Sequence, residues 1–186
     1  MNDSVSLQRL LLERSVQRGS FVLASGQRSS YYIDCRLATM SAEGMGLIGR
    51  LGLEAIRKAG WRPHSVGGLT MGADPVAYAI AAASFGTDLA MDAFSVRKES
   101  KDHGLERRIE GNFRPGYSVV VVEDVITSGG SAQKAMTAIE GAGGTVLGVL
   151  AVVDREEGGS RTLEQNGRKV VSLTTAAELG LVSTQA

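Results

Sequence analysis

VVVVEDVITSGGSAQKA, residues 119–135, is the stretch on which the reading of this 186-residue chain turns. The β-branched run from Ser118 to Val122 is what a strand buried on both faces requires. It ends in two adjacent acids, Glu123 and Asp124. The chain then continues through Val125 and Ile126 into the small and hydroxyl residues Thr127-Ser128-Gly129-Gly130-Ser131, and a helix is expected from about Gly130 to Gly141. In an open α/β sheet, ligands collect at the carboxyl ends of the strands. Unpaired N–H groups at a helix start, together with the helix dipole, favour a phosphate there. Glycines let the backbone come close and hydroxyls add donors. A neighbouring acid pair can accept hydrogen bonds from a vicinal diol or meet a metal-bound water. Neither common nucleotide loop is present, because no lysine follows the glycines and no GxGxxG occurs. Solvated acids on an ordinary strand-turn-helix would explain each part singly. They do not explain the acid pair, the TSGGS loop and the buried run standing together in that order.

On the C-terminal side, Thr145 to Val153 reads as a further buried strand. Val170 to Leu173 reads as a last one, before a short terminal helix capped by Thr174 or Thr175. On the other side, Ser65 to Leu69 is strand-like, and residues 89–96 form another strand. Asp74-Pro75 supplies a cap and a first-turn proline for a helix through Ala83. Val5, Leu7, Leu10, Leu11 and Val16 recur at helical spacing, predicting an amphipathic helix over 4–18 that Gly19 stops. Phe21 to Leu23 and Tyr31 to Cys35 read as short strands around a Ser25-Gly26 turn, and Ser41 can cap a helix to about Lys58. Alternating strands and helices imply an α/β fold: a mostly parallel, twisted sheet flanked by helices, in one domain over 1–186. Residues 97–116 break the alternation. They are dense in charge and without apolar period, as a mobile functional loop would be.

The 20 basic and 20 acidic side chains cancel, so any attraction for an anion must be local rather than global. Cys35 is alone and cannot form an internal disulfide, and one thiol with two histidines is too few for a zinc cluster. A reducing, cytoplasmic location is the expectation. The opening MNDSVSLQRL lacks a signal-peptide pattern, and no apolar run approaches the ~20 residues of a membrane span.

Three further segments concentrate chemistry. Arg97-Lys98-Glu99-Ser100-Lys101-Asp102-His103-Gly104 sets four potential cations just before the 118–122 strand. Alone it reads as a solvated charged loop. Beside a phosphate site it reads as a closing lid that stabilises a departing anion and excludes water. Ser25-Gly26-Gln27-Arg28-Ser29-Ser30-Tyr31-Tyr32-Ile33-Asp34 is either a β-hairpin with packed tyrosines or the wall of a pocket for a flat ring. Val152-Val153-Asp154-Arg155 ends the next strand in an arginine. That side chain either forks onto a carboxylate ligand or pairs at the surface with Glu156 or Glu157.

The 119–135 segment resembles the phosphoribosyl-pyrophosphate motif of type I phosphoribosyltransferases. RKxxKxHG combined with YYxD resembles the orotate-specific members, over roughly residues 4–180. The resemblance implies a Rossmann-like core with a small N-terminal hood (residues 1–40, a helix and hood strands) and a catalytic loop over 97–116. It implies that Glu123 and Asp124 hold the ribose hydroxyls and Thr127 to Ser131 wrap the 5′-phosphate, with Val125 and Ile126 also among the residues that bind phosphoribosyl pyrophosphate. Arg97, Lys98, Lys101 and His103 would contact phosphoribosyl pyrophosphate, with Lys101, His103 and Asp124 the catalytic set and His103 a candidate proton donor. Thr127, Arg155, Tyr31 and Tyr32 would bind orotate. No direct metal ligand is implied, since Mg²⁺ arrives on the phosphoribosyl pyrophosphate. Homodimerisation is implied as well, with the loop reaching into the neighbouring subunit's site.

Two departures stand out. Ala24 replaces a lysine common in the family, and Gly68-Leu69-Thr70-Met71-Gly72-Ala73-Asp74-Pro75 carries none, so this site holds fewer fixed cations. Two other readings share the motif: transfer to a purine or uracil, and a non-catalytic regulator that senses phosphoribosyl pyrophosphate and binds nucleic acid. The balanced net charge and the retained loop cations weigh against the regulator.

Overall fold

The computed structural model describes residues 2–22, 28–98 and 108–182. Its centre is a six-stranded sheet in the order β5-β4-β3-β6-β7-β8. The strands are β3 (Ser65–Leu69), β4 (Asp92–Val96), β5 (Ile109–Gly111), β6 (Ser118–Ile126), β7 (Thr145–Asp154) and β8 (Val170–Thr175). All pairings are parallel except β4 with the short edge strand β5. β6 and β7 are the longest strands and lie next to each other in the interior of the sheet, where β-branched residues on both faces fit a doubly covered strand.

The alternation of side chains along β6 divides the core in two. Val120 and Val122 face one cluster, with Ile48, Ile56 and Ile80 from α3 (Ala42–Lys58) and α4 (Ala73–Ser84). Val119 and Val121 face the other, with Ala132, Ala135, Met136 and Ile139 of α5 (Gly130–Gly141). Before the sheet stand α1 (Asp3–Arg14), the antiparallel hairpin β1 (Val16–Val22) with β2 (Arg28–Ile33), and the one-turn α2 (Arg36–Thr39). A short α6 (Gly159–Gln165) links β7 to β8.

The α/β class, the mostly parallel sheet and the small N-terminal unit agree with the sequence reading, and several boundaries need correction. The opening helix stops at Arg14 rather than at residue 18. Val16–Arg18 pairs with Tyr31–Ile33 instead, so the hairpin begins five residues before Phe21. Cys35 is a buried residue at the start of α2, not the end of a strand. The charged stretch 97–116 is not wholly irregular, because Ile109–Gly111 adds an antiparallel strand to β4; residues 99–107 lie outside the described residues. Helix α4 begins at Gly72 as its cap, and Asp74 accepts a hydrogen bond from Ser95 Oγ (2.7 Å) rather than capping. After β8 the chain makes a turn, not a helix. Thr175 heads it in a reciprocal pair: its N–H donates to Glu178 Oε2 and its Oγ1 accepts from the Glu178 N–H.

Candidate active site

The parallel strands β3, β4, β6 and β7 all bring their carboxyl ends to one edge of the sheet, where a cavity of about 460 Å³ opens. The strand ends contribute Leu69, Lys98, Glu123, Asp124 and Arg155. The hood contributes Tyr32 to Arg36, and the turns contribute Thr70 to Gly72, Thr127, Ser128 and Ser131.

Strand β6 does not end at Val122. It stays paired with β7 as far as Ile126 opposite Asp154, so both acids are strand residues. The pleat therefore sends them to opposite faces. Glu123 follows Val119 and Val121 towards α5 and lines a second, smaller cavity of about 100 Å³ together with Thr127 to Ala132. Asp124 follows Val120 and Val122 towards the turn before α4. That turn carries a cis peptide between Thr70 and Met71. A Cβ on Gly72 would stand 2.6 Å from Asp124 Oδ1, so only glycine lets the turn lie against the carboxylate.

Glu123 is 5% exposed, and its Oε1 has no hydrogen-bond partner among the described residues. Burial, with Asp124 adding to it, pushes its carboxyl up to about 8. Burial also raises Asp124, opposed by the Val125 N–H, which donates to Oδ1 (2.9 Å), and by Arg36. The Cys35 thiol is pushed well up by burial and then by Asp124 and Asp34, which makes it a poor nucleophile.

The Thr127–Ser131 loop owes its shape to Gly129, which takes φ +78° as the cap residue of α5. Among the described residues no side chain caps that helix start. The start of α6 supports the loop through the Gly159 N–H, which donates to the Thr127 carbonyl (3.1 Å), and just after β7 the Arg155 N–H donates to the Ile126 carbonyl (3.0 Å). Backbone donors, hydroxyls and a helix N-terminus thus converge on one small concavity, a combination suited to a phosphate.

At the other end, Arg155 is 4% exposed. Its Nε donates to Glu157 Oε1 (2.8 Å), Nη2 stands 2.6 Å from the same oxygen as an ion pair and donates to Ser29 Oγ (3.3 Å), and the guanidinium lies 4.6 Å from the Tyr31 ring centre. Of the two sequence alternatives for Arg155, the pairing with Glu157 is present, but inside the protein rather than at its surface, and the same side chain lines the cavity.

The sequence-predicted residues divide into groups. Lys98, Glu123, Asp124, Val125, Thr127, Ser128, Ser131, Tyr32 and Arg155 line the main cavity. Ile126, Gly129 and Gly130 line the smaller one. Tyr31 is buried beneath Arg155 rather than set in the cavity wall. Arg97 turns away from the cavity to Glu110 on β5, 3.6 Å away. Lys101 and His103 fall outside the described residues. Arg36 was missed by the sequence reading. It lines the cavity and grips Asp34 through two hydrogen bonds, Nε to Oδ1 (2.8 Å) and Nη2 to Oδ2 (2.9 Å). The available signal was its i,i+2 spacing from the aspartate that closes the tyrosine segment.

The model of the phosphoribosyl transferase domain matches residues 39–175. The orotate phosphoribosyltransferase of Rhodopirellula baltica is 43% identical over 183 residues, covering 96% of this chain and 95% of its own. The crystal structure of Mycobacterium tuberculosis H37Rv orotate phosphoribosyltransferase with Fe(III) dicitrate superposes with a TM-score of 0.85 at 43% identity, covering 97% of this chain and all of that one. The complex of the same enzyme with 5-phospho-α-D-ribosyl 1-diphosphate gives 0.81 at 40% identity over 97% of this chain and 100% of that one. With the acid pair, the glycine loop and the buried arginine arranged around one cavity, and with relatives matched nearly end to end, the chain belongs to the orotate phosphoribosyltransferase family of type I phosphoribosyltransferases.

Proposed function

We propose that the cavity transfers the 5-phosphoribosyl group from phosphoribosyl pyrophosphate to orotate, giving orotidine 5′-phosphate and pyrophosphate, a step of pyrimidine synthesis. The single observation that carries the assignment of roles is the buried Glu123-Asp124 pair adjoining an uncapped, glycine-led helix start. In this reading the 5′-phosphate sits on Thr127 to Ser131, Glu123 and Asp124 accept from the ribose hydroxyls, and Thr127 and Arg155 take the orotate ring and its carboxylate. Tyr32 flanks the ring, with Tyr31 supporting Arg155 from below. Arg36 and Lys98 face the pyrophosphate from beside the Thr70–Gly72 turn and stand in for the lysine that turn lacks. The C1′–O bond breaks ahead of attack. The orotate nitrogen then enters from the opposite face with inversion, and no protein nucleophile takes part. Lys101, His103 and Arg97 stabilise the charge that grows on the leaving group.

Glu123 and Asp124 are oxygen donors of the kind a hard divalent cation takes, directly or through its waters. A Mg²⁺ carried on the pyrophosphate would be met there, and when bound it would neutralise the leaving group. We read residues 1–186 as one catalytic domain, since both apolar clusters pack on opposite faces of one sheet. A homodimer is supported by the apolar side chains left exposed on mutually contacting elements: Leu37 and Met40 on and after α2, Met45 on α3, and Met71 and Tyr78 at and on α4. Arg97, facing away from its own cavity, suits service in a neighbour's. Among the described residues no helix is long and apolar enough to cross a membrane, and soluble substrates accord with a cytoplasmic enzyme.

The direct experiment mixes the protein with phosphoribosyl pyrophosphate, Mg²⁺ and either orotate, uracil or hypoxanthine, and follows ultraviolet absorbance. Consumption of orotate alone is expected; turnover of another base with orotate inert would overturn the assignment. Lys101→Ala should lower kcat at least about a hundredfold with orotate binding retained, and parental turnover would remove the lysine from the mechanism.

A further inference from the structure

A guanidinium carries five N–H donors, and those of Arg155 can be followed one by one. Nε–H donates to an oxygen of Glu157, Nη2 stands 2.6 Å from that same oxygen as an ion pair, and Nη2 donates to Ser29 Oγ. The Tyr31 ring covers one face of the group. The side-on edge is thus engaged inside the protein, and among the described residues Nη1 has no partner, in a side chain that lines the cavity.

Glu157 is not on the cavity wall; it lies behind the arginine, on a turn that is itself pinned. Glu156 takes φ +59°, its N–H donates to Asp154 Oδ1 (2.8 Å), and its Oε2 accepts from the Ala177 N–H (2.7 Å). Ser160 Oγ donates to the other oxygen of Asp154 (2.6 Å). A left-handed residue is costly outside glycine and persists only where its surroundings hold it. Here it bends the chain so that Glu157 returns onto Arg155 two residues earlier.

We propose that Glu157 is a positioning residue for the acceptor base: it fixes the plane of the Arg155 guanidinium so that Nη1 is presented to the carboxylate of a planar pyrimidine acid. The inference rests on the reading of Arg155 as the carboxylate-binding group. A long side chain that is already ordered loses little rotamer freedom on binding, and a buried cation that is already paired carries no unpaired-charge penalty while the site is empty. Because the fork edge is occupied, the base is recognised by a directed donor rather than by a freely turning charge.

The test compares Glu157→Ala, Glu157→Gln and Arg155→Ala in steady-state kinetics with each substrate varied. Glu157→Ala should raise KM for orotate about tenfold while KM for phosphoribosyl pyrophosphate and kcat stay within about twofold. Glu157→Gln keeps an acceptor oxygen and should recover most of the loss. Arg155→Ala should raise KM for orotate at least as far as Glu157→Ala does. An orotate KM that is unchanged or lower in Glu157→Ala, or both KM values rising together, overturns the clamp while leaving the role of Arg155 standing. An unchanged orotate KM in Arg155→Ala overturns the carboxylate reading itself and the clamp with it.

Discussion

The two ends of the cavity solve the burial of polar groups in opposite ways. At the base end the buried charge is already answered, since Arg155 has Glu157, Ser29 and the Tyr31 face, and it is the neutral Tyr31 hydroxyl that has no partner among the described residues. At the sugar end, among the described residues, Glu123 is buried without a partner on Oε1 and no side chain caps α5, while Arg36, which lines the same cavity, is engaged by Asp34. A buried polar group without a partner costs free energy until a ligand supplies one. On the proposed placement of the substrates, the sugar end is therefore the part of the fold that gains most from the donor, whereas the base end is preorganised and gains mainly in selectivity. The difference suits a reaction in which the donor is large and anionic and the acceptor is small and rigid.

The harshest way to break the contrast is Gly129→Val. A β-branched residue at φ +78°, with its Cβ 3.1 Å from the Gly159 carbonyl oxygen and 3.2 Å from Leu163, must distort the phosphate loop. About 2–3 kcal/mol of stability and at least a hundredfold of kcat/KM for the donor should be lost, read by urea melts and initial rates. Parental kinetics would mean that the loop does not hold the phosphate.

Glu123→Gln probes the unsatisfied acid. A carboxyl raised from 4.5 to about 8 keeps a proton in the folded chain that the unfolded chain has released, so folding weakens as pH climbs through that window. The glutamine variant lacks this loss. It should be more stable than the parent at pH 8.5 by on the order of a few kcal/mol, and the gap should close towards pH 4.5. Parallel stability-pH curves would contradict the burial account.

At the paired end, Tyr31→Leu removes the aromatic face under Arg155. A cation–π contact of this kind contributes about 1 kcal/mol, so orotate KM should rise about fivefold with donor KM unchanged. A rise in donor KM instead would show that the ends are not separable. The smallest effect should come from Ser41→Ala, remote from both ends. It removes the Oγ that accepts from the Gly44 N–H and costs about 1 kcal/mol of stability with no kinetic change.

The same contrast decides what the sequence could reveal. Strand β6, helix α5 and strand β3 were legible because they are specified locally, by a β-branched run, glycine punctuation and a compact apolar segment. The Ser41 cap was legible for the same reason. The phosphate loop inherits that clarity. The hood was harder. Residues of β1 are mostly exposed and pair only with β2, so Val16–Arg18 carry no period that separates strand from a continuing helix. Strand β5 is three residues long and exists because β4 offers an edge, which no pattern within Ile109–Gly111 announces. Arg36 reaches the cavity only because the chain turns at Asp34 into α2, and an extended reading through Cys35 misplaces it. The engagement of Arg155 with Ser29, 126 residues away, and with the neighbouring Tyr31 is a tertiary fact that spacing does not encode.

Titration calorimetry with phosphoribosyl pyrophosphate and Mg²⁺, run on the parent and on a Glu123→Ala, Asp124→Ala double variant shown by circular dichroism to be folded, measures the sugar end most directly. Saturable heat is expected from the parent, with affinity at least about a hundredfold weaker in the double variant, as the loss of two carboxylate acceptors requires. No heat from the folded parent, or undiminished affinity without the acids, would contradict the placement of the donor.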